Sequence, residues 1–115
     1  MSGYEDFKET VTHLYNERSK EKERTITYII GHFKNLYEHA KTNPAFDENG
    51  YVCISLLDVA KYREEIEKLI REFLINDEKW SNDNIHFYQY PHINVCKIVF
   101  TFPGVYGLTL LSRDL

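Results

Sequence analysis

The chain has 115 residues and a mass of 13.7 kDa, room for one compact domain and no more. With 43% apolar and 28% charged residues it has the composition of a globular protein that can build a core, which excludes a fibrous or wholly disordered chain. A net charge of -4 argues against a nonspecific electrostatic hold on nucleic acid or anionic membrane, and it is too small for an acidic mimic of DNA.

The first 30 residues contain no apolar signal core, and no run approaches the roughly 18 apolar residues of a membrane helix, so a cytoplasmic setting without membrane contact is expected. Ser2 followed by Glu5 is a capping box that starts a helix near Gly3. Apolar positions then run Tyr4, Phe7, Val11, Tyr15 and, further on, Ile26, Ile29, Phe33, Tyr37 and Ala40. Steps of 11 residues (Tyr4, Tyr15, Ile26, Tyr37) make three turns at about 3.67 residues per turn, so both groups share one face. Between them Asn16 to Thr25 is wholly polar but contains good helix formers and neither Gly nor Pro. The pattern predicts either one long helix over 3–42 or two helices with a turn near 19–25, capped by Ser19 or Thr25. Gly31 marks a place for close backbone approach or a kink. Asn43 before Pro44 ends the helical segment, which occupies 1–43.

Asp47 to Gly50 read as a turn, and Tyr51 to Leu56 as a first strand. Ser55 with Asp58 resembles a second cap, predicting a helix from Leu56 to Ile75 with Val59, Ile66, Ile70 and Phe73 on one face beside Leu69 and Leu74. Asn76 and Asp77 close it. Ile85 to Tyr90 and Val95 to Phe102, joined by Pro91 to Asn94, predict an antiparallel hairpin in which Cys96, Ile98, Phe100 and Phe102 face the core. Gly107 to Leu111 are a candidate fourth short strand. The expected architecture is therefore a single α+β domain over 1–115, in which a β-α-β-β unit over 50–115 supports the helical segment.

Chemistry-bearing residues are sparse. His32 and His39 lie about 10 Å apart on one helix, too far for a shared ion, and His86, His92 and Cys96 have no ligand spacing, so no metal site is expected. Cys53 and Cys96 lack paired spacing and read as reduced, buried thiols in two strands. Glu64, Glu65 and Glu67 share their helix face with Lys and Arg, the pattern of a solvated surface. Gly104 and Gly107 give a G-x-x-G pattern best read as a turn. No catalytic residue, cofactor or metal is predicted, and a non-enzymatic role is expected.

What stands out is the aromatic load, 15% with nine tyrosines, because a core this small cannot bury and satisfy all of them, and tyrosine favours interfaces. The leading expectation is a protein-interaction or structural subunit that contacts a second copy or another protein through Tyr4, Phe7, Val11 and Tyr15. Phe, Ile, Tyr, Asn and Lys together supply 43 of the 115 residues. All five use A/T-rich codons, which fits a small viral or phage protein, such as a virion component or an inhibitor of a host protein. The alternative is a single-stranded nucleic-acid module that stacks bases on Phe87, Tyr88 and Tyr90, disfavoured because only Lys97 is basic nearby.

Overall fold

Forty residues of the computed structural model, which describes residues 2–57 and 59–102, form one uninterrupted helix, α1, Gly3–Thr42. Its start is fixed locally: the Glu5 N–H donates to Ser2 Oγ at 3.3 Å, and Glu5 and Asp6 place negative charge at the positive end of the helix dipole. Asn43 closes it by donating its N–H to the His39 carbonyl at 2.9 Å, directly before Pro44. Of the two helical arrangements expected, the long one forms, with no turn at 19–25. Glu, Lys and Arg hold the middle helical without any apolar support. Gly31 serves no close approach; it is exposed, no atom lies within 4 Å of where a Cβ would stand, and the helix runs through it without a break.

Among the described residues four strands make one antiparallel sheet: β1 (Ala45–Phe46), β2 (Val52–Leu57), β3 (Ile85–Tyr90) and β4 (Val95–Phe100), in the order β1-β2-β4-β3. The fourth strand expected at Gly107 to Leu111 lies outside the described residues. β1 is an addition to the expected set, and β2 runs one residue later than expected. The register pairs Ile54 with Ile98 and Phe87 with Ile98, and Val52 and Ile85 with Phe100, so one face of the sheet is continuously apolar. Cys96, Ile98 and Phe100 point to the core as the alternation predicts, whereas Phe102 remains exposed.

Across that face lie α1 and a second helix, α2 (Arg63–Glu72). The expected helix start at Leu56 is wrong. Ser55 does not cap; it sits in β2 opposite Lys97, and Leu56 pairs with Cys96, because ladder pairing satisfies these backbone groups before a helix can begin. A single 3-10 turn (Ala60–Tyr62) leads into α2, and a π turn (Phe73–Asp77) extends it past the expected stop. The end keeps the wide π spacing, with Glu78 N–H on the Phe73 carbonyl and Trp80 N–H on the Leu74 carbonyl. Lys79 takes the left-handed position that this closure requires, at φ 63°. Ile66, Ile70, Leu74 and Val59 are buried as expected, while Leu69 faces outward.

The core joins Ile29, Phe33 and Tyr37 of α1 to these residues and to the inner sheet face. Phe33 is completely buried, stacked near Tyr37 at 6.1 Å between ring centres and edge-on to Phe73 at 6.3 Å. Trp80 donates its Nε1–H to the Tyr37 hydroxyl at 2.9 Å, closing the cluster at the C-terminal end of α1.

Candidate interaction surface

Every residue from Gly3 to Glu21 is exposed. α1 meets the rest of the molecule at Lys22, whose Nζ lies 2.9 Å from Glu65 Oε1 of α2 and 5.5 Å from the centre of the Tyr62 ring. Their mutual bond holds the Lys22 ammonium above, and the Glu65 carboxyl below, its ordinary pKa. Nineteen residues of helix, roughly 28 Å at 1.5 Å per residue, therefore project beyond the body.

All four residues expected at an interface lie on this projection. Tyr4 is 70% exposed, Phe7 73% and Tyr15 73%, with Val11 about half covered by its own helix neighbours. At about 100° per residue they fall on one side of the helix, and so does Leu14, which is also exposed and which the 11-residue stepping overlooked. The signal for Leu14 was present in the spacing 4, 7, 11, 14, the alternation of three and four that marks a helix-pairing seam. Continued along α1, the same side becomes the one that carries Ile26, Ile29, Phe33 and Tyr37 into the core. Beyond Tyr15 it bears Arg18 and then Lys22.

The aromatic strand divides. Phe87 turns toward the core with Arg71 over its ring at 4.7 Å, while Tyr88 and Tyr90 lie with His86 on the outer sheet face. There the turn from Asp47 to Gly50 folds back over the sheet, and Asp47 Oδ1 accepts N–H bonds from Asn49 and Tyr51, both at 2.9 Å. Val99 is buried beneath this turn, outside the main core. A cavity of about 300 Å³ results, lined by Tyr51, His86, Tyr88, Tyr90 and Lys97. Burial opposes the Lys97 charge, but Glu48 at 3.7 Å, the Tyr90 ring and Asp47 at 3.8 Å outweigh it and raise the pKa. A second, apolar cavity of about 420 Å³ lies where α1 ends against β1, between Tyr37, Ala40, Phe46, Val52 and Trp80. At its rim Lys41 bonds to Glu78 at 2.8 Å and Glu38 at 2.9 Å, and both carboxylates raise its pKa.

No protein-family model, no curated protein and no solved structure matches this chain.

The thiols face opposite sides of the sheet. Cys96 is buried inward beside Gln89, and burial pushes its pKa up to about 11; Cys53 lies half-buried on the outer face, raised first by burial and then by Asp47. A nucleophilic thiol needs the opposite shift. His32 stacks on Tyr28 with ring centres 6.4 Å apart, His39 Nε2 sits 3.3 Å from Asn43 Nδ2, and His86 lies on the other face from Cys96. Among the described residues no three His, Cys, Asp or Glu side chains converge as a metal site requires. Glu65 and Glu67 are engaged with Lys22 and Arg71. Among the described residues no helix is long and apolar enough to cross a membrane. The G-x-x-G pattern at 104–107 lies outside the described residues.

Proposed function

We propose that this protein is a non-enzymatic interaction subunit that holds a protein partner with the N-terminal half of α1, the remainder serving as its folded support. One observation carries this reading: a capped helix of nineteen residues projects from the body with an apolar stripe that none of the described residues covers. In water a free helix of that length is marginal, since most helical stability in proteins comes from packing an apolar face. At about 70% exposure the three aromatic side chains alone offer on the order of 400 Å² of apolar surface, the size at which a contiguous patch marks a contact site.

The nucleic-acid alternative has the outer-face tyrosines in its favour. Asp47 and Glu48 beside Lys97 leave that face without the excess positive charge that a phosphate backbone demands, so it stands second.

The test compares the wild type with Phe7→Asp/Val11→Asp in an extract of the native cell, reading the size of the complex that contains the chain. The wild type is expected in an assembly larger than one chain, and the variant as a monomer with an unchanged melting temperature. Wild type and variant both running as free monomers would refute the reading, as would loss of the folded body in the variant.

A further inference from the structure

We infer that the partner of the projecting half of α1 is a second copy of this chain, laid antiparallel so that residues 4–15 pair with themselves about a two-fold axis near residue 9. The inference rests on the reading above, that this segment is a contact surface.

The stripe carries the first part of the argument. Tyr4, Phe7, Val11 and Leu14 alternate steps of three and four, the 3.5-residue repeat with which two helices mesh side chains along a shared seam. Turned end for end, the segment complements itself: Phe7 faces Val11 of the other copy, and Tyr4 faces Leu14. Each layer pairs a large ring with a smaller aliphatic group. Two copies of these side chains together with Tyr15 bring on the order of 1,200 Å² out of water, the lower end for a specific interface.

The position of the body sets the orientation and the extent. Because the stripe continues the face that packs on α2 and the sheet, the body forms a shelf at Lys22, Tyr62 and Glu65 on the side where a partner helix must lie. Helix axes pair at about 8–10 Å, so two parallel copies in register would drive two bodies into the same space. In the antiparallel arrangement each copy's first turn reaches the level of Asn16, about 9 Å short of the other's Lys22, and the two bodies hang at opposite ends.

Charge favours the same choice. Parallel copies would superpose two acidic first turns (Glu5, Asp6) and bring Arg18 against its counterpart. Antiparallel copies hold the Glu5 side chains about 12 Å apart along the axis, beyond the screening length of about 8–10 Å in physiological salt, and leave Arg18 outside the seam.

The experiment is sedimentation equilibrium on the purified full chain from about 1 to 500 µM, paired with a distance measurement between nitroxides on Ser2→Cys in a Cys53→Ser background. Buried Cys96 does not take the label. Expected are a monomer–dimer equilibrium, at least 100-fold weakening by Phe7→Asp/Val11→Asp, and a label separation of about 20–30 Å. A monomer throughout overturns the inference while leaving the contact-surface reading to the extract experiment. Labels at about 10 Å, the spacing of paired helix axes, overturn it in favour of a parallel pair, and a dimer indifferent to the substitutions overturns it outright. If the double substitution unfolds the body, the contact-surface reading falls as well.

Discussion

Cys96 ties the chemistry of one atom to the stability of the molecule. Burial beneath α2 holds its thiol protonated to about pH 11, whereas in an unfolded chain a thiol ionises near 8.5. Above that lower value the native state retains a proton that the unfolded state has lost, so stability is complete below pH 8.5 and declines between there and 11, by up to about 1.4 kcal/mol per unit. Urea midpoints measured at pH 8 and pH 10.5 should show this decline, and Cys96→Ala should flatten it. A residual slope will belong to the other groups whose native pKa is raised: Cys53 and Tyr37, through burial, and Lys22, Lys41 and Lys97, through their carboxylate neighbours. Phe33, fully buried against Tyr37 and Phe73, is the residue on which the joint between α1 and the body rests. Phe33→Ala should cost about 3–5 kcal/mol in urea unfolding, a large part of the roughly 5–15 kcal/mol that a domain possesses, whereas Phe7→Ala, on the exposed half, should cost under about 0.5 kcal/mol in the monomer.

Among the elements, α2 ends on a residue poorly suited to its conformation. Lys79 sits at φ 63°, the left-handed region where a side chain is strained and glycine is not. Lys79→Gly should raise stability by about 0.5–1 kcal/mol in thermal or urea unfolding, despite the loss of the Lys79 Nζ bond to the Asn76 carbonyl. Asn94, also left-handed, belongs to the residue type that tolerates it. These closures show what is legible in a sequence and what is not. The ends of α1 could be read because Ser2, Glu5 and Asn43-Pro44 act within a turn of themselves. The hairpin could be read because β4 alternates cleanly. β1 is two residues long and exists only because the turn at Asp47 returns the chain beside β2. The start of α2 was misplaced because Ser55 and Asp58 match a local cap, while the partner that overrides it, Lys97, lies 42 residues away. The Trp80 to Tyr37 bond spans 43 residues and leaves no local trace. In the candidate surface the periodicity of Tyr4, Phe7, Val11 and Tyr15 marks a stripe too long for a domain this size to cover, while the point at which cover begins, Lys22, rests on Tyr62 and Glu65, 40 and 43 residues away.

The whole molecule is 74 Å long against 31 and 22 Å across, with a radius of gyration of 19.4 Å where a compact chain of this length has about 13 Å. A core gathered at one end and a bare helix at the other produce that difference. Because α1 passes from tip to body without a break, the two ends share a rotational phase. Two residues inserted after Ser19 would turn the tip by about 200° around the rod and shift it by only about 3 Å; eleven would shift it by about 17 Å and turn it by only about 20°. Neither insertion alters a side chain between Tyr4 and Tyr15, so the dimer dissociation constant should hold within about threefold, while small-angle scattering should report a different disposition of the two bodies in each case. A rigid shaft thus makes azimuth and reach adjustable by chain length alone, and how firmly a partner is held becomes independent of where it is held.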